Sequence, residues 1–309
     1  MRAVGIILAG GNNNRMKELT HKRAVAAMPI AGSYRSIDFA LSNMTNSHIQ
    51  KVAVLTQYNA RSLNEHLNSS KWWNFGRKQG GLYVFTPTIT NDNGYWYRGT
   101  ADAIYQNMDF LKKSHEPYVV IASGDAVYKM DYSKVLQYHI DKKADVTVVC
   151  KEMDPSDDGS RFGTNRMDDD MRITEFEEKP MVTKSNMIST GIYVIRRRLL
   201  IDLIEHAAEE ERFDFVNDVL IRYKNLKKIY GYKIDHYWSN IATVDAYYKT
   251  NMDFLKPEVR NYFFKQDPEI YSKVSDLPPA KYNPGASVKN SLVGSGSIIN
   301  GTVENSVLF

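Results

Sequence analysis

Four short aliphatic runs, "AVGIILA", "KVAVLTQ", "YVVIAS" and "DVTVVC", alternate with segments whose apolar residues recur every three or four positions. No other feature limits the fold as much. A strand that is apolar at consecutive positions has no polar face and must be covered on both sides. The intervening "SIDFALSNM", "ADAIYQNMDFLKK" and "YSKVLQYHIDKKA" supply helices with one apolar stripe each. This alternation predicts an α/β fold on a mostly parallel sheet with helices on both faces. From about residue 160 the pattern becomes mixed, with strands at "RITEFEEKP" and "STGIYVIR" and a helix at "LLIDLIEHAAEEE".

A break follows. Residues 256–284 carry five of the chain's ten prolines and lose clear periodicity, so a sheet domain over 1–256 and a linker over 257–283 are expected. The remaining 284–309 are rich in Gly, Ser and Asn, and a register of six places Leu292 and Ile298 in step. That is the pattern of hexapeptide coils in a parallel β-helix; the alternative is a solvated Gly/Ser tail. With about four coil edges the solenoid is short, and the sequence is expected to stop inside it.

Charge and cysteine usage exclude several function classes. The 309 residues hold 40 basic and 36 acidic side chains, a formal charge of +4. This is too even for a nucleic-acid binder but suits a protein that handles anionic metabolites. Cys150 is the only cysteine, which rules out an internal disulfide and a cysteine-based zinc site and fits a reducing compartment. The start "MRAVGIILAGG" has no small-residue cleavage site, and no apolar run approaches a membrane span. A soluble, cytoplasmic protein without membrane partners is expected.

Candidate chemistry gathers at strand ends. In "ILAGGNNNRM" an apolar strand stops at Gly10 and Gly11, which let backbone N–H groups approach an anion that Arg15 clamps. Asp125 follows the strand "YVVIA", where a carboxylate reaches a phosphate-bound magnesium ion. The Gly99–Thr100 turn opens a helix and reads as an anion site. Glu178 and Lys179 suit a sugar hydroxyl and a phosphate. Taken singly these residues also read as a turn aspartate, an N-cap and a solvated edge. Walker, Rossmann, zincin and nucleophile-elbow motifs are absent.

In combination, "ILAGG", "YRSIDFALSN", "VLTQYN", "WYRGTADAIYQN", "SGDAVYKMDYSKVL", "FEEKP" and "STGIYV" resemble the sugar-phosphate nucleotidyltransferases. The closer resemblance is to ADP-glucose pyrophosphorylase (glucose-1-phosphate adenylyltransferase) of bacterial glycogen synthesis. The resemblance implies a Rossmann-like, GT-A-like sheet domain followed by a left-handed parallel β-helix. It also implies a reaction in which a phosphate oxygen of glucose 1-phosphate attacks the α-phosphorus of ATP and pyrophosphate leaves. The substrate brings its own nucleophile, and the protein positions the reactants and offsets charge with Mg2+, Lys and Arg. By resemblance, Gly10, Gly11, Arg15, Gln57, Gly99 and Thr100 serve the nucleotide, and Arg15 and Asp125 serve catalysis. Asp125 matches a magnesium ligand, and Glu178, Lys179, Ser189 and Gly191 match the glucose 1-phosphate site.

Three positions depart from the pattern of active members. A further loop glycine is Asn13, a catalytic lysine in an Ala-Lys-Pro stretch is Val25 (with Ala26 next to it), and a second magnesium carboxylate is Asn240 (with Ala242 two places on). A neutral amide is a poor substitute for a hard-metal ligand, so magnesium binding is expected to be weak or absent. The resemblance is then to a GlgD-type, non-catalytic regulatory subunit, which pairs with a catalytic homologue in a heterotetramer. Lys22, Arg23 and Arg35 match positions lining a sugar-phosphate effector pocket, or are ordinary surface charges. An enzyme active by itself and a stand-alone sugar-phosphate sensor are the rival readings.

Overall fold

The structure, a computed structural model, describes residues 2–11, 14–76, 80–90, 94–153 and 159–309. Asn13 falls outside the described residues. All four aliphatic runs form strands, Ala3–Leu8, Lys51–Leu55, Tyr118–Ser123 and Val146–Glu152. Ala3–Leu8 lies at the middle, hydrogen-bonded in parallel to Lys51–Leu55 on one side and Tyr118–Ser123 on the other. Gly81–Phe85 extends the parallel edge beside Lys51–Leu55. The mixed half follows through Met187–Arg196, antiparallel to both Tyr118–Ser123 and Val146–Glu152. Among the described residues the sheet has nine strands. It is mostly parallel in its first half and mixed in its second, as the sequence pattern changes near residue 160.

Two apolar layers cover the sheet because its strands have no polar face. One gathers Ile7, Val54, Leu41, Met44 and Tyr128 under the helix Ser36–Asn46. The other gathers Ile6, Leu55, Ile121 and Ile195 under Thr100–Gln106 and Arg197–Glu209. The segment "ADAIYQNMDFLKK", expected as one helix, is two, broken between Gln106 and Met108. Asn107 is the cause: its side-chain amide donates to Ala103 O at 2.9 Å and to Tyr97 Oη at 2.9 Å. The amide satisfies a carbonyl of the first helix and lets the chain turn.

The stretch expected as an aperiodic linker begins with a helix, Pro257–Phe264, which carries Pro at its start. Phe263 is fully buried against Phe39 and Phe254, and Phe264 stacks on Tyr34 with ring centroids 4.7 Å apart. Eight residues are too few to display a helical period, and consecutive aromatics obscure it. Beyond it the chain stays tied to the sheet domain. Tyr271 N donates to Ser42 Oγ at 2.8 Å and Ser272 Oγ donates to the buried Asp38 at 2.6 Å.

The last six strands pair in parallel, each with the strand three places on: Lys281–Tyr282 with Ile298–Ile299, Ser287–Lys289 with Thr302–Glu304, and Leu292–Val293 with Val307–Leu308. A solvated tail would make no such ladder. The register that put Leu292 and Ile298 in step fails, however. Leu292 packs inward while Ile298 is 62% exposed and Ile299 only 6%. Neighbouring strand residues face opposite ways, so only one of the two isoleucines faces inward. No helix among the described residues is long and apolar enough to cross a membrane.

Candidate active site

A cleft of about 600 Å³ opens at the carboxyl ends of the central parallel strands, where open α/β sheets bind ligands. It is bordered by every candidate named above for nucleotide, metal and sugar, and by Val25, Ala26, Asn240 and Ala242. Lys22, Arg23 and Arg35 stand apart from it.

One wall begins where Ala3–Leu8 ends. Ala9 N donates to Leu55 O and Gly124 N to Leu8 O, at 2.9 and 3.0 Å, so three strand ends are held level. A Cβ on Gly10 would lie 3.1 Å from Gln57 Cβ, whereas Gly11 faces open space. Gly10 therefore permits close packing, and Gly11 leaves backbone open to a ligand. Arg15 borders the cleft from the 3-10 segment Asn14–Thr20, anchored by the buried Met16. Gln57 turns its amide to the chain: it accepts from Tyr97 N at 2.7 Å and donates to Tyr97 O at 3.2 Å.

The Gly99–Thr100 turn differs from the anion site expected of it. A Cβ on Gly99 would lie 2.3 Å from Phe213 O, which leaves room for glycine alone. Ala101 N and Asp102 N both donate to that same carbonyl, at 2.8 and 3.3 Å, and Thr100 Oγ1 accepts from Phe215 N at 2.9 Å. The leading amides of the helix are spent on the protein. Gly99 and Thr100 border the cleft without offering those donors.

Asp125 and Asn240 are brought side by side by the antiparallel pair Ala126–Tyr128 and Trp238–Asn240, in which Ala126 faces Asn240. Ile241 N donates to Asp125 O at 2.9 Å. Ser123 Oγ donates to Asp125 Oδ1 at 2.5 Å, a charge-assisted bond. The Asn240 oxygen Oδ1 accepts from Ala242 N at 3.0 Å, so its one good metal-ligating atom is turned to its own backbone. No group of three or more His, Cys, Asp or Glu able to hold a metal occurs among the described residues. One carboxylate and a turned-away amide do not fit the oxygen-rich shell of a hard divalent cation. Val25, 8% exposed, packs with Met16, Phe39, Val127 and Ile241, an apolar surround with no cation at that position.

The opposite wall is built from Met187–Arg196. Its pairing with Val146–Glu152 shifts register between Ser189 and Tyr193, and Gly191 sits in that bulge with φ +74°, a conformation that favours glycine. The bulge turns Ser189, Thr190 and Gly191 to the cleft. Ser189 Oγ and Tyr193 Oη are 3.2 Å apart, and burial holds the Tyr193 phenol protonated by pushing its pKa up. Glu178 Oε1 pairs with Lys179 Nζ at 3.0 Å. Gly163 admits this arrangement, because a Cβ there would lie 2.8 Å from Glu178 Oε2.

Sequence reasoning passed over Arg98, Arg161, Tyr97, Asp214 and Trp238, which also border the cleft. Arg98 pairs with Asp102 at 3.3 Å and lies 3.8 Å from the centroid of the Phe213 ring. Asp214 Oδ1 accepts from Asn217 N at 2.7 Å and caps the helical turn Phe215–Ile221. A basic residue between two glycines, as in "GSRFG", was the available signal for Arg161. Among the described residues, the cleft is bordered by Arg15, Arg98, Arg161 and Lys179 against Asp125, Glu178 and Asp214, a slight excess of positive charge suited to a phosphorylated ligand.

The nucleotidyl transferase family model matches residues 4–257. The chain belongs to that family. Its relatives include proteins named glucose-1-phosphate adenylyltransferase. That of Clostridium novyi is 40% identical over 309 residues, covering 99% of this chain and 81% of the relative. The Clostridium botulinum Alaska E43 protein is 42% identical over 310 residues, covering 99% and 80%. The Bacillus anthracis protein is 41% identical over 311 residues, covering 100% and 82%. The nucleotidyl transferase match thus spans both walls of the cleft.

Of the remaining basic trio, Arg23 and Arg35 are half-buried and close together. Burial first, and then the Arg23 charge, lower the Arg35 pKa. Arg35 Nη1 donates to Ala27 O at 2.7 Å. The Tyr247 phenol, raised by burial, feels both arginines in the opposite direction. Lys22 is exposed.

Proposed function

We propose that this nucleotidyl transferase is the regulatory, catalytically impaired subunit of a glucose-1-phosphate adenylyltransferase in bacterial glycogen biosynthesis. One observation carries the reading. The Glu178–Tyr193 wall holds two polar pairs, Glu178 with Lys179 and Ser189 with Tyr193, while the wall holding Val25, Asp125 and Asn240 has neither a lysine nor a second carboxylate. Glucose 1-phosphate supplies its own nucleophile, so binding it needs only the first wall. Stabilising charge as pyrophosphate leaves needs the second. Losing one such contact typically costs roughly 3–4 kcal/mol, about 10²–10³ in rate, and groups acting together do not lose additively.

In this reading the chain assembles with a catalytic homologue into a mixed tetramer, with the C-terminal strands forming a left-handed β-helix at the contacts. Arg23 and Arg35, close and half-buried, support a sugar-phosphate effector site that Lys22 adjoins. The relatives' names support the enzyme class; they favour equally a second reading, an enzyme that makes ADP-glucose alone. The test is ADP-glucose synthesis by the chain alone and mixed with a catalytic homologue, with co-purification of the two. Separate elution and unchanged homologue kinetics overturn the regulatory reading and leave the sugar-phosphate sensor.

A further inference from the structure

Arg161 is joined to the wall that holds Asn240 by contacts that bridge 82 positions of chain. Its Nη1 donates to Thr243 Oγ1 at 3.2 Å, and Thr243 follows Ala242 and caps the helix Val244–Asp253. The guanidinium lies 5.0 Å from the centroid of the Phe162 ring, and that ring packs edge-on against Trp238, centroids 5.5 Å apart. Trp238 and Asn240 belong to one strand. A short circuit of contacts, Arg161 to Phe162 to Trp238 and Arg161 to Thr243, therefore holds a fixed positive charge beside the degenerate metal position. With Nη1 anchored, the rest of the planar fork remains for a phosphate.

The Asn240 side chain complements it. Its oxygen accepts from Ala242 N, so the group it retains for the cleft is an NH2, which donates to an anion and repels a cation. Two other cations bordering the cleft, Arg98 and Lys179, are already paired with Asp102 and Glu178. We propose that this cleft binds its phosphorylated ligand without a metal ion, with the Arg161 guanidinium and the Asn240 NH2 contacting the phosphate. The ligand class is a sugar nucleotide or sugar phosphate, and in that respect the inference rests on the function proposed above.

The probe is ADP-glucose, titrated calorimetrically into the full chain in EDTA and in excess magnesium. The two affinities agree within about twofold, because no metal bridges protein and phosphate. Arg161→Ala weakens binding by about tenfold or more in both buffers, as expected for one lost charge-assisted hydrogen bond. Arg161→Lys recovers part of that loss. Asn240→Asp places a second carboxylate beside Asp125, weakens binding in EDTA and makes it respond to magnesium. Circular dichroism establishes that each variant is folded. Loss of parent binding in EDTA overturns the inference, as does parent-like binding by Arg161→Ala. A folded parent that binds ADP-glucose in neither buffer overturns it too. The mixed-oligomer reading is judged separately, by co-purification.

Discussion

The two walls of one cleft differ in what they present to it. On the Met187–Arg196 side, Glu178 meets Lys179, Ser189 meets Tyr193, and two glycines, Gly163 and Gly191, make room for the arrangement. On the Ala3–Leu8 side the backbone scaffold is equally well made: strand ends are tied level and Gly10 packs tightly on Gln57. That side keeps Arg15 and Asp125 but carries uncharged side chains at Val25 and Asn240. Stability and binding geometry depend on backbone and packing, whereas transition-state stabilisation depends on a few charges aimed at where charge develops. A chain can lose the second without disturbing the first.

That contrast is most exposed to a turnover measurement. Pyrophosphate release from ATP and glucose 1-phosphate by the isolated chain should fall at least about 10³-fold below an ordinary enzyme's roughly 10 per second. Turnover near the ordinary value would sink the contrast altogether. Restoring the charges sharpens it: Val25→Lys with Asn240→Asp should raise that release about 10²-fold and exceed either change alone. The lysine stem would lie in the buried cluster that Val25 shares with Met16 and Ile241. A folded double variant as inactive as its parent would place the defect elsewhere, with Asn13 the first position to change.

A smaller effect probes the intact wall. Glu178→Ala should weaken glucose 1-phosphate about tenfold while ATP binding moves less than about twofold. Equal weakening of both ligands, read by calorimetry, would show that the walls do not act separately.

The smallest effect concerns the scaffold that both walls share. Burial pushes the His139 imidazole down to about 4 from an ordinary 6.5. Its Nδ1 bonds Thr147 Oγ1 at 2.8 Å and its Nε2 has no partner. Between those values the unfolded chain binds a proton that the folded chain does not, so stability is full above the window and falls as pH drops through it. Moving from pH 7 to pH 6 should cost about 0.7 kcal/mol, read as a lower denaturation midpoint. His139→Gln should flatten that slope; an unchanged slope would remove His139 as its source.

Much of the sheet domain was legible because its cause is local. Consecutive β-branched residues cannot form a one-sided strand, and the helices between them carry their stripes openly. The short helix Pro257–Phe264 was not legible, since its burial comes from Phe39 and Tyr34 across the fold. Residue types in the cleft were also readable, including the uncharged side chains of Val25 and Asn240.

What those residues do with their atoms was decided elsewhere. The Asn240 oxygen is turned to Ala242 N, and the Thr100 helix spends its amides on Phe213 O. Arg161 meets Thr243, 82 positions along the chain. Each outcome depends on which strand lies beside which, and on the hydrogen bonds that buried polar groups must find there. Sequence determines which groups are present through covalent identity and local periodicity. Their partners are assigned by tertiary packing, because a donor or acceptor is satisfied by whatever the fold brings within about 3 Å of it.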